Sequence, residues 1–139
     1  MKELIIPTTK SIINIEVNNT EVFIKGENIN YTRILFSNDI MYDTNLNTTE
    51  NSQITIILPK DSRYTKIKFI SENANLTIND LLYQSIFVQT KSGEIIMRDV
   101  DGTETKIENT TGDISMQMDE SVLNYNLKFK STLGKIYKE

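Results

Sequence analysis

Five acidic side chains crowd one stretch of the sequence: Asp99, Asp101, Glu104, Glu108 and Asp113. Two carboxylates flanking a sugar can serve as acid and base, or as acid and nucleophile, in glycoside hydrolysis. Sequence does not give their separation, and Asp99-Val100-Asp101-Gly102 has the composition of a turn between strands. The same Asp-x-Asp-Gly fragment begins like a calcium loop, but the third loop ligand is missing and the twelfth position is Thr110 where a glutamate is needed. The Gly-Gly-x-Gly-x-Asp run of calcium β-rolls is absent as well. There is no histidine, which removes the usual general base near neutral pH, the Ser-His-Asp triad and the commonest metal ligand. There is no cysteine, hence no thiol chemistry and no disulfide framework. No catalytic residue, metal or cofactor is assigned. The chain reads as non-enzymatic, with a carboxylate-dependent enzyme acting on carbohydrate as an alternative.

A second group with chemical potential is basic: Lys128, Lys130, Lys135 and Lys138. Lysines there protect an edge strand from mispairing. The functional alternative is a surface for an anionic partner, such as a lipid, a wall polymer or an acidic protein. Met97, Met116 and Met118 alternate and read as core filler. Tyr125 is expected inside, with Tyr42 and Tyr137 exposed and able to stack on sugars. Asn-x-Thr occurs at Asn18, Asn30, Asn47, Asn75 and Asn109, as chance dictates in a chain this rich in Asn and Thr.

The elements that must carry these residues announce themselves as a repeat. Thr90-Lys91-Ser92-Gly93-Glu94-Ile95, Asn109-Thr110-Thr111-Gly112-Asp113-Ile114 and Ser131-Thr132-Leu133-Gly134-Lys135-Ile136 follow one frame. Gly93 and Gly112 are 19 residues apart, Gly112 and Gly134 are 22 apart, and Ala74, the chain's single alanine, lies one shorter interval upstream of Gly93. Apolar residues fall at every second position between these turns, as in Leu123, Tyr125, Leu127 and Phe129, which is the signature of a half-buried strand. Ala74, Gly93, Gly112 and Gly134 are therefore structural turns, where glycine reaches positive φ without a steric penalty. Each is single and precedes a strand, unlike the glycine cluster that opens a phosphate-binding helix.

A period near 20 residues predicts a single all-β domain built as a β-solenoid or β-roll, over residues 1–139, with regular repeats in 67–139 and less regular strands in 1–66. An antiparallel β-sandwich is the alternative, since hairpins need only short turns. The first half reads as an antiparallel meander that caps one end. Residues 43–53 read as a polar loop, Pro59 ends a strand, and single helical turns are expected at 79–84, capped by Asn79 or Asp80, and at 119–123.

The three glycine segments resemble a bacterial adhesin-type domain of unknown function, which repeats a Thr-x-Ser-Gly-Asp-Ile motif. Thr110-Thr111-Gly112-Asp113-Ile114 is the nearest copy. The resemblance covers 67–139 well and the first half loosely. It departs from the family at Ala74 and in the longer last interval. It implies a β-solenoid, sometimes attached to envelope-stress or cell-surface proteins of Gram-positive bacteria, and it implies no catalytic residue.

Composition sets the remaining bounds. The 139 residues are enough for one domain with a real core. One alanine, no tryptophan and many β-branched residues disfavour helices. A net charge of −4 disfavours nucleic acid. The first residues lack the apolar core of a signal peptide, and no run approaches the length of a membrane helix. The chain as it stands is expected in the cytoplasm, the alternative being a cell-surface domain excised from a longer protein. Expected partners are an unidentified protein or envelope polymer, with a homo-oligomer through edge strands as a further option.

Overall fold

Segments such as Ile13-Asn14-Ile15-Glu16-Val17 and Ile54-Thr55-Ile56 bury alternate side chains and wet the others. In a computed structural model, which describes residues 2–7, 11–37, 41–42, 45–48, 52–118, 126–131 and 134–138, they form strands. The strands are β1 (Lys2–Ile6), β2 (Ile12–Val17), β3 (Thr20–Glu27), β4 (Thr32–Phe36), β5 (Met41–Tyr42), β6 (Asn45–Thr48), β7 (Ser52–Pro59), β8 (Asp61–Ser92), β9 (Ile95–Asn109), β10 (Ile114–Met118), β11 (Asn126–Ser131) and β12 (Ile136–Lys138).

All belong to one 12-stranded sheet that coils without closing into a barrel. The fold is a β-solenoid with two parallel walls. The first wall stacks β6, β2, the 66–70 part of β8, the 85–90 part of β8, the 104–109 part of β9, and β11. The second stacks β7, β3, the 74–79 part of β8, the start of β9, β10 and β12. Along the axis the rungs run 45–59, 12–27, 66–79, 85–98, 104–118 and 126–138. β8 is long enough to complete more than one rung, so its two halves meet, with Ser71 Oγ donating to Thr90 Oγ1 at 2.9 Å across 19 residues.

The core fills the space between the walls. Leu76, Ile95 and Ile114 stack in one inward column, and Ile78, Met97 and Met116 in the next; all are at most 2% exposed. Met97 and Met116 are thus core residues, as their alternation predicts. Val88 and Ile107 face them from the first wall. Tyr83 is set opposite Gly102, where a Cβ would lie 1.9 Å from its ring. Its hydroxyl meets the hydroxyl of buried Thr105.

Several expectations are corrected. The first half is not an antiparallel meander: β2, β3, β6 and β7 are parallel rungs of the same solenoid. Among the described residues only β4 on β7, β1 on β4 and β5 on β6 run antiparallel there, covering the outer rung. Regular rungs therefore start well before residue 67. The polar segment 43–53 is not a loop throughout, because Asn45–Thr48 is a strand paired with β2 and Ser52 opens β7. No helical turn forms at 79–84; the strand bends there at Asp80, which has φ 55. Asp99, one rung on, bends the same way with φ 52, while Asp101 and Gly102 continue the strand instead of turning. The turn expected at 119–123 lies outside the described residues, as does Tyr125. Nothing supports the sandwich, since the glycine turns lie in register on one edge.

Candidate functional site

The repeated motif builds one corner of the coil, and each of its positions has a mechanical task. The register places Ala74, Gly93, Gly112 and Gly134 in a column. A Cβ on Gly93 would sit 2.0 Å from the Ala74 carbonyl oxygen, one on Gly112 2.0 Å from that of Gly93, and one on Gly134 1.8 Å from that of Gly112. Gly93 and Gly112 also have φ 129 and 99, which only glycine adopts readily. Backbone here passes against backbone with no room for a side chain.

The polar position three residues earlier satisfies those carbonyls from inside. Asn109 Nδ2 donates to Gly93 O at 3.0 Å, and Ser131 Oγ donates to Gly112 O at 3.2 Å while accepting from Gly134 N–H at 3.1 Å. Asn109 Oδ1 is buried without a partner. The residue after the glycine works on the outside. Asn75 Oδ1 accepts the Glu94 N–H at 2.9 Å, and Asp113 Oδ1 accepts the Lys135 N–H at 3.0 Å. In rung 12–27 asparagines take over: Asn18 Oδ1 accepts the Glu72 N–H at 2.8 Å, and Asn19, at φ 53, gives its N–H to Asn73.

The acidic cluster does not assemble. Asp113 is engaged by the next rung, Asp99 lies at the opposite bend, and Glu104 and Glu108 point outward from the first wall in separate rows. Among the described residues no group of three or more His, Cys, Asp or Glu side chains could hold a metal. The lysines are also divided. Lys128 and Lys130 occupy β11, in register with Lys106 and Glu108. Lys135 follows the Gly134 corner and is exposed, and Lys138 pairs with Met116 across β12 and β10. Tyr42 and Tyr137 lie on β5 and β12.

A groove of about 470 Å³ runs outside the glycine corner across rungs 12–27 to 104–118. Its rims carry Glu16, Asn18, Glu72, Gln89, Lys91 and Glu108. Lys91 Nζ lies 3.6 Å from Glu72, both well exposed. Sequence reasoning missed this groove and the outward row Lys68, Phe87, Lys106 beside it. Carrying the 19-residue period back from Lys106 to Phe87 and Lys68 finds the row. Elsewhere the charges pair locally: the Arg63 guanidinium holds the exposed Asp61 carboxyl below its ordinary value, and Glu3 raises Arg33 through a 2.8 Å hydrogen bond.

Stacked parallel rungs with a glycine corner define the class as a β-solenoid. The chain belongs to the Toastrack DUF4097 family, a domain of unknown function, whose profile matches residues 7–137. No curated protein matches it. Among the described residues no helix is long and apolar enough to cross a membrane.

Proposed function

We propose that this Toastrack domain is a non-enzymatic interaction module of the adhesin type, whose outer walls contact a protein or polymer of the bacterial cell envelope. The groove along the glycine corner carries the reading. It spans successive rungs on a rigid scaffold, and the motif residues behind it are occupied in holding those rungs together. The candidate carboxylates are scattered over bend, wall and corner, which favours contact over catalysis. A photo-crosslinking residue at Gln89, in the groove, and another at Ser115, on the other wall, test this in the cells that make the protein. A discrete adduct from Gln89 is expected; no adduct from either position overturns the reading.

Self-assembly is a second reading, favoured by β11 and β12, which pair on one side only among the described residues. Such edges invite another strand. A monomer mass in sedimentation at high concentration rules it out.

A further inference from the structure

The outer face of the second wall carries two rows of charge of opposite sign. Backbone register sets Gln53, Glu21, Asn75, Glu94 and Asp113 in one row, closed by Lys135 at the last rung. Four residues further along each parallel strand, and on the neighbouring β4, a second row holds Arg33, Ile57, Lys25, Asn79, Arg98 and Gln117. Between them run Leu35, Thr55, Phe23, Thr77, Ile96 and Ser115, all half-buried. Two strands thus repeat one outward pattern of acid, apolar residue and base at alternate positions: Glu21, Phe23 and Lys25 on β3, and Glu94, Ile96 and Arg98 on β9. The four charged residues of this pattern are exposed. Within the chain, Lys25 Nζ lies 3.4 Å from Glu27, and Arg33 Nε lies 2.8 Å from Glu3. Glu94 lies beside Asp113 on the next strand, and like charges so placed oppose each other.

We infer that this face docks on the same face of a second copy of the chain, about a two-fold axis parallel to the solenoid axis. The inference goes beyond the envelope-contact reading and uses neither the groove nor the edges of β11 and β12. Rotation about that axis exchanges left and right, so the acidic row of each copy lies over the basic row of the other. A two-fold axis along the strands would lay acid on acid, and charge selects against it. A closed two-fold permits no sliding, so every rung meets itself. Glu21 then meets Lys25 of the second copy, and Glu94 meets Arg98 of the second copy, each twice. Large and small side chains alternate along the central row, so Phe23 and Ile96 of one copy lean into the spaces over Thr55, Thr77 and Ser115 of the other. A different protein would have to present the same two rows in the opposite order; a second copy does so by symmetry. The face measures about 29 Å along the axis by about 17 Å along the strands. Two such faces bury on the order of 1,000 Å² in all, the size of a weak, reversible dimer.

The test is sedimentation equilibrium of the full chain over a concentration series at low salt, where the rows act with least screening. A thermal melt of each variant shows that the fold is retained. The unaltered chain should be a reversible mixture of monomer and dimer. Glu94→Arg and Arg98→Glu, each alone, should raise the dimer dissociation constant about tenfold or more, because each sets two like-charged pairs across the axis. An equimolar mixture of the two variants should recover dimers, since the all-basic strand of one then faces the all-acidic strand of the other. Glu21→Lys and Lys25→Glu repeat the test on the other rung. A monomer at every concentration overturns the docking face. So does a dimer untouched by these variants, which assigns association to the edges of β11 and β12, or a mixture no more dimeric than its components. The Gln89 crosslink reads the first wall, and a Ser115 adduct of twice the chain's mass belongs to the dimer and not to an envelope partner. The two readings therefore stand or fall separately.

Discussion

Asp113 and Asn75 sit at one motif position and do one job, accepting a backbone N–H from the rung ahead. The position needs an oxygen more than a charge. Asp113→Asn should therefore be nearly neutral in urea unfolding, whereas Asp113→Ala should cost about 1 kcal/mol, the usual worth of such a bond. Gly112→Ala meets both the Gly93 carbonyl and a φ of 99, and should cost more than about 2 kcal/mol. Ala74→Gly should cost about 1–2 kcal/mol, through chain entropy and the loss of a buried methyl. Tyr83→Phe strands the buried Thr105 hydroxyl and should cost about 1–3 kcal/mol. The glycine positions were legible in the sequence because their spacing repeats. So was the positive φ that Gly93 and Gly112 take; the contact that forbids a side chain was not, since it belongs to a neighbouring rung.

The strands show what period-2 reasoning reaches. Most strand segments were visible as alternating apolar runs. What failed was the bend at Asp80. Asn and Asp favour helix caps, yet the same short polar side chains tolerate left-handed backbone, and the bend uses that second property. Asn45–Thr48 looked like loop because its sequence is polar; it is a strand because β2 lends it a ladder. Pairing also sets local stability. Amides of 76–79 and 95–98, bonded on both sides, should be the slowest to exchange with deuterium, and those of β1 and β12, bonded on one side only among the described residues, the fastest. Uniform protection across these strands in a mass-spectrometric time course would contradict the rung order.

For the whole molecule, the coil was legible from residue 67 onward, where neighbours in space are 19 or 22 residues apart. It was hidden earlier, where Asn18 and Asn19 reach partners 54 residues away because rung 45–59 lies outside rung 12–27. No local pattern encodes that order. With no histidine or cysteine, stability should be flat between about pH 6 and about pH 8 in a series of melts, apart from the chain terminus. The Asp61 carboxyl has a lowered value in the fold, so its small contribution is present above the unfolded value. It disappears only as acid takes the pH down through the lowered one.

The winding order also fixes how the chain responds to tension. Pulled at its two ends, the molecule can shed rungs from the 126–138 side one after another, each release lengthening it by one repeat. Rung 12–27 is clamped between rungs 45–59 and 66–79 and cannot leave while both remain. A force record should therefore show a staircase of small steps and then one larger step, a spool that unwinds freely until it reaches its knot.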